Sequence, residues 1–346
     1  MGVQTEFINF HNRIKLGCQD DAYRKARERD DSITAAIKSA FKDEGYPVTE
    51  DFLQGSLATD TAILKKADDF DIDRSIVIDS TSAPDNPVDP KKVVFDVLEK
   101  RGFKNAKIKK PCVTANYSSE NLHIDFPIYR KKADGTYELA VGKRNSDEEN
   151  REWSESDPKG LKSWIKDKSS YIGSADRKLQ QFNRVARYLK RWRDHQFSES
   201  VCKKIFSIGL TVMAKRGFVP NVDKDGKFDD LSALLCTVSH MVDYGYFSPV
   251  GEQYRVTVHL PVPPRRDIFD GSSLSTGTQL RNKLINMRNK LDEASKEENL
   301  TKKCEILNKL FGEDFHIPSD SENNGSSNNK ASRFASAGIV GTSQGA

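Results

Sequence analysis

Two aspartates one residue apart, Asp71 and Asp73, stand inside the otherwise apolar run FDIDRSIVID, residues 70–79. Side chains alternate along a strand, so both project to one face, about 6.5–7 Å apart along the chain. A pair placed this way can clamp two hard cations ~3.5–4 Å apart, the separation that serves in-line phosphoryl transfer. The plainer reading is an edge strand with a solvated face. Against it, Ile72 and the Ser75-Ile76-Val77-Ile78 continuation make the strand core-embedded. Two carboxylates on such a strand repel and desolvate unless a cation or a base offsets them. A third acid, Asp125, sits inside the apolar stretch His123-Ile124-Asp125-Phe126-Pro127-Ile128, and three carboxylates converge if that strand lies beside the first. Upstream stands Gly55-Ser56. Glycine allows close backbone approach, and the N–H groups of a turn opening a helix, beside a Ser hydroxyl, suit a phosphate. Alone, each of these signals is weak; together they are specific.

The elements that must position them follow from periodicity. The first 45 residues read as helical, with Ile33, Ala36, Ile37, Ala40 and Phe41 on one face and Gly45 and Pro47 closing the segment. A loop from Ser80 to Pro90 precedes an amphipathic helix carrying Val93, Val94, Val97 and Leu98. Three strands are expected at 110–117, 122–131 and 136–143, the last two joined by a turn at Asp134-Gly135. From about Asp157 the pattern turns helical: 175–195 with Leu179, Phe182, Val185, Leu189 and Trp192 as its stripe, then 199–216, 229–242 and 278–311. The expected fold is α+β and bilobal, a mixed-sheet lobe with a long spine helix (1–165) against an α-helical lobe (166–316). Residues 317–346, rich in Ser, Asn, Gly and Ala, read as a disordered tail.

Composition excludes other classes. With 36% hydrophobic and 31% charged residues the chain reads as soluble and cytoplasmic, with no run near the ~18–20 apolar residues of a membrane span. Cys18, Cys112, Cys202, Cys236 and Cys304 are scattered and read as reduced thiols without a zinc knuckle. A net charge of +4 is too mild to argue nucleic-acid binding, although basic residues crowd into 100–110, 130–144 and 184–193. These runs suit a phosphate-bearing partner or an ordinary solvated surface.

The succession of Gly55-Ser56, Asp71-Ile72-Asp73 and His123-Ile124-Asp125 resembles the nucleotidyltransferase superfamily of DNA polymerase beta, oligoadenylate synthase and cGAS. The segment VARYLKRWRDHQF (185–197) resembles the apolar-LK-x-W helix of the oligoadenylate synthases, and SIGLTVMA (207–214) the helix after it. Over residues 1–316 the chain looks like a bacterial cGAS/DncV-like nucleotidyltransferase (CD-NTase). The resemblance implies that residues 1–165 are the catalytic lobe. It also implies an enzyme that condenses ATP, GTP, UTP or CTP into a cyclic di- or trinucleotide signal for an effector in anti-phage defence (CBASS). Asp71, Asp73 and Asp125 would hold two Mg2+ or Mn2+ ions, with Asp125 assisting deprotonation of the attacking ribose hydroxyl. Gly55 and Ser56 would contact the donor triphosphate, Lys190 would reach its β/γ phosphates as a flexible point charge, and Ser207 would lie near the donor nucleotide. Without the Cys/His cluster of the human cGAS type, no zinc element for DNA activation is expected. The end at Gly345-Ala346 resembles family members whose terminal carboxylate is joined to a target by a ubiquitin-like conjugation apparatus; equally, any mobile tail can end in small residues.

Several residues have plainer readings. His123 shares a face with Asp125, where a satisfied strand histidine stands against a phosphate contact. Trp153, Trp164, Trp192 and Tyr171 include candidates for base stacking, with core or surface packing the simpler role for each. The VPPRRDIFDG loop (262–271) is read as structural. Two other functions stay open: a linear oligonucleotide synthase or nucleotide transfer to RNA or protein, and an inactive nucleotide-binding sensor. Three intact carboxylates argue against the sensor.

Overall fold

The computed structural model describes residues 3–16, 21–64, 70–117, 122–222 and 225–318. Cys18, Asp68, Asp69, the tail from residue 319 and the terminal Ala346 lie outside them.

A mixed sheet occupies the first half. Its central strand is β2 (Phe70–Asp79), flanked on one side by antiparallel β1 (Val48–Gln54). On the other side run β5 (Leu122–Phe126) and β6 (Ile128–Lys131), both parallel to β2. Asp73 pairs with Asp125 and Ile76 with Ile128, the same offset, so residues 122–131 act as one strand in register, interrupted at Pro127. Proline has no N–H to give a ladder, and the amide of Ile76 bonds to its carbonyl instead (3.0 Å). Outside β5 lie β4 (Val113–Tyr117) and the short β3 (Lys107–Ile108); outside β6 lie β7 (Tyr137–Val141) and β8 (Glu152–Ser156). The β6–β7 hairpin turns at Asp134-Gly135 as the sequence suggests, with Gly135 at φ +87°.

Period-2 alternation divides β2 in two. Ile72, Ile76 and Ile78 are buried against α2 (Asp21–Asp43), which contributes Ile33, Ile37 and Phe41, and α4 (Val88–Lys100), which contributes Val94, Val97 and Leu98. The even-numbered exception is Arg74, and it too faces the helices. Its guanidinium forks onto the fully buried Asp30 of α2 (2.6 and 3.1 Å) and reaches Asp51 of β1 at 2.9 Å. The odd positions, Asp71, Asp73 and Ser75, take the opposite face. Between β1 and β2 runs the single-turn α3 (Gly55–Ala58).

The second core is helical. After α5 (Pro158–Lys166) come α6 (Ala175–Gln196), α7 (Glu199–Cys202), α8 (Ser207–Gly217), α9 (Asp230–Asp243), α10 (Leu274–Lys296) and α11 (Leu300–Phe311), with the hairpin of β9 (Phe247–Val250) and β10 (Gln253–Val256) against α10. The expected segment 199–216 divides into two helices, and 278–311, expected as one long helix or a pair, is a pair. The N-terminal helical stretch also divides, and its halves serve different cores. In α1 (Gln4–Ile14), Phe7, Phe10 and Ile14 pack with Tyr188 and Phe311 of the helical lobe, whereas α2 packs on the sheet. A boundary at 165 therefore does not separate the cores, because α1 and Ile165 belong with the helices. Among the described residues no helix is long and apolar enough to cross a membrane.

Replacing Asp30 with Ala leaves the Arg74 guanidinium buried with only Asp31 and Asp51 to face. We expect a loss of about 3 kcal/mol, the low end for breaking a buried pair, measured by urea unfolding.

Candidate active site

Asp71 and Asp73 project from β2, and Asp125 projects beside them from β5, its register partner opposite Asp73. All three line a cavity of about 510 Å³ between the lobes. Asp73 is pushed up to about 7, first by burial and then by the charges of Asp125 and Asp71. Asp125 is held outward: the Thr114 hydroxyl of β4 donates to it, and Lys109 Nζ stands 3.5 Å from its Oδ1. As they stand, no three acidic, imidazole or thiol groups among the described residues surround one point closely enough to hold an ion. The donor set nevertheless fits a hard divalent cation, since Asp71, Asp73 and Asp125 offer only carboxylate oxygens. His123 makes a ring-nitrogen contact with the Asn116 side chain and is not in the cavity wall, in keeping with a satisfied strand histidine.

Gly55 follows β1, whose last residue Gln54 is the register partner of Asp73. It has φ +67°, and a Cβ there would collide with the Asp73 carboxylate. Both the backbone conformation and the carboxylate therefore demand glycine. Ser56 enters the wall beside it. Gln54 is fixed by two buried hydroxyls, Ser75 (2.8 Å) and Tyr129 (2.9 Å), which donate to its carbonyl oxygen.

Behind the turn, the Thr59 hydroxyl bonds to the Gly55 carbonyl (3.1 Å) and to the Thr61 hydroxyl (3.0 Å). Lys190 completes this chain, donating to the Thr61 carbonyl (2.8 Å) and hydroxyl (2.9 Å). Lys190 lines the cavity but is 4% exposed, so it is a fixed buried cation where a flexible one was expected. Burial, Arg187 and Arg193 lower it to about 7. Its neighbours grip the same segment: Arg187 donates to the Ala62 carbonyl (3.0 Å) and Arg191 to that of Leu64 (2.5 Å). The basic run at 184–193 thus turns inward, and Arg184 pairs with the buried Asp230. Ser207, the first residue of α8, also lines the cavity, and its hydroxyl accepts from Arg193, which forks onto Asp194 (2.6 and 2.9 Å).

Other wall residues escaped the sequence reading: Gln54, Thr59, Thr61, Lys162, Arg193, Asp194, and Val262, Pro263 and Arg266 of the proline loop. The Thr59-Asp60-Thr61 run after Gly-Ser was a usable signal; the proline loop offered none. Trp153, Trp164, Trp192 and Tyr171 stay outside the wall, where the aromatic side chain is Tyr129. Trp192 is core, and Trp153 bonds to the Pro84 carbonyl.

Asp73 sets a pH dependence. Its folded pKa, about 7, lies above its ordinary 3.8, so the folded state binds the extra proton and stability falls as pH rises from about 4 to 7. A divalent cation relieves that cost only once the carboxylate ionises. Mn2+ is therefore expected to raise the melting temperature more at pH 8 than at pH 5, and thermal unfolding at the two pH values checks this.

Residues 1–169 match the family described as the Second Messenger Oligonucleotide or Dinucleotide Synthetase domain, SMODS. Over 194 residues the chain is 29% identical to a Cyclic GMP-AMP synthase of Escherichia albertii, a span that is 54% of this chain and 41% of that protein. The chain thus matches less than half the length of this curated relative. The apo form of Vibrio cholerae DncV shares the fold with a TM-score of 0.72 at 16% identity, over 92% of this chain and 97% of that one. The Bradyrhizobium diazoefficiens CD-NTase CdnG, solved in complex with GTP, does so with 0.67 at 17%, over 90% and 96%. Likeness at such identity speaks for the fold, and the SMODS match covers the strands that carry all three aspartates. Residues 1–169 thus resemble that synthetase domain, and the chain shares the fold of DncV and CdnG.

Proposed function

We propose that this chain is a Mg2+-dependent synthase that joins nucleoside triphosphates into a cyclic di- or trinucleotide, releases pyrophosphate, and signals in anti-phage defence. One observation carries the reading: three carboxylates on neighbouring parallel strands share a cleft between lobes with a Gly-Ser turn. The printed names of the relatives, a Cyclic GMP-AMP synthase and a CD-NTase holding GTP, support the product class and the substrates.

Asp71, Asp73 and Asp125 would hold the divalent cations, which when bound stabilise charge on the attacking and leaving oxygens. The chain's own residues do the rest by positioning. The Gly55-Ser56 turn binds the donor triphosphate with Ser56, and Lys190 contributes positive charge from the wall behind it. A ribose hydroxyl of the acceptor attacks the α-phosphorus. The new P–O bond forms as the bond to the β-phosphate oxygen breaks, and pyrophosphate leaves. Asp125 takes the hydroxyl proton, its carboxylate oriented by the Thr114 hydroxyl. In the second round the free hydroxyl of the linear product attacks its own remaining triphosphate, which closes the ring.

Incubation with four α-labelled nucleoside triphosphates and Mg2+, followed by phosphatase and mass spectrometry, is expected to leave a product with as many phosphates as nucleosides. One phosphate fewer would mean linear chains, and fully released label, with no phosphodiester formed, would leave a binding module. The pair Asp71→Asn with Asp73→Asn should lower product at least roughly 10³-fold, and unchanged synthesis would exclude the carboxylates as the metal site. Gly55→Ala should lower turnover roughly 100-fold while unfolding shifts by only about 1–2 kcal/mol. Pyrophosphate release and urea titration of the same preparation separate the two effects.

A further inference from the structure

Lys91 of α4 is fully buried, yet among the described residues no carboxylate pairs with it. Its ammonium donates to the carbonyls of Lys109 (2.7 Å), Lys110 (2.8 Å) and Gly142 (2.6 Å), with that of Ala140 at 3.4 Å. These carbonyls mark a seam in the sheet. Where Pro127 interrupts the 122–131 strand, β4 begins on one side and β7 ends on the other, and the Gly142 amide crosses to the Lys110 carbonyl (2.9 Å). Carbonyls left at such a break need donors, and an ammonium brings three. Burial lowers Lys91 to about 8, which leaves it mostly charged at neutral pH.

The segment that Lys91 seats borders the carboxylates. Pro111 and Cys112 line the cavity, Lys109 stands 3.5 Å from Asp125, and Thr114 donates to the same carboxylate. We propose that Lys91 is a positioning residue: by capping the seam it holds Lys109 at Asp125, so that the ammonium of Lys109 tempers the charge of the carboxylate cluster and sets its affinity for a divalent cation. This rests on the carboxylates being the metal site.

Mn2+ titration of the full chain, followed by the electron paramagnetic resonance of the free ion, tests it without turnover. Lys109→Met removes a competing cation and should tighten Mn2+ binding roughly fivefold. Lys91→Ala should tighten it in the same direction, and adding Lys109→Met to it should change nothing further. Propylammonium, which fits the vacated carbonyl cage, should return Lys91→Ala towards wild type, whereas tetramethylammonium, with no N–H, should not. Lys91→Met fills the same space without N–H donors and takes the place of the alanine variant if that one does not fold. A merely structural lysine would lower the melting temperature and leave Mn2+ affinity alone. Wild-type affinity in a folded Lys91 variant, or additive effects of the two substitutions, overturns the proposal. If the wild-type chain binds no Mn2+, the carboxylate site itself fails, and this inference with it.

Discussion

Like charges gathered on one face of a sheet whose other face is hydrophobic core set the terms for the rest of the molecule. Period-2 alternation sends Ile72, Ile76 and Ile78 inward and Asp71 and Asp73 outward, and the register of β5 adds Asp125 to the same face. The core anchors these acids so that they cannot separate. Burial first, and then their mutual repulsion, raises Asp73 and invites a cation. The surrounding structure accommodates the cluster at close range. Gly55 leaves room for a carboxylate where a Cβ would stand, and Lys109 and Thr114 hold Asp125.

A second device joins the lobes. Residues 61–64 form a short connection outside helix and strand, and three of its carbonyls accept from side chains of α6. The donors, Arg187, Lys190 and Arg191, fall on one face of α6 at helical spacing. The same segment receives the C-terminal end of α1, where the amide of Leu64 bonds to the Ile14 carbonyl (2.8 Å). The Gly-Ser turn is thereby tied through Thr59 and Thr61 to the helical lobe.

Legibility in the sequence tracked how local each signal was. The strand at 70–79, the helices at 88–100, 175–196 and 230–243, and the hairpin at Asp134-Gly135 all rest on periodicity or turn chemistry within a few residues. β1 and β8 were missed because VTEDFLQ and EWSES carry little alternation, and their pairing with β2 and β7 makes them strands. The split of the N-terminal helical stretch between two cores was also hidden, since an apolar stripe says that a helix packs but not on what. Lys91 carried no signal of its own in the amphipathic helix. Only the broken strand at Pro127 explains why it is buried.

Residue types and spacing by themselves determined the chemistry on offer: two aspartates on one strand face, a third on a later strand, and a Gly-Ser turn ahead of them. Short-range sterics fix such features, so they can be read without a fold. Tertiary structure decided which groups meet. The parallel register placed Asp125 opposite Asp73, and lobe packing turned Lys190 from a solvated charge into a buried one bonded to Thr61. It also brought the proline loop to the cleft. Burial and long-range pairing depend on the whole chain closing on itself, and no window of sequence contains them.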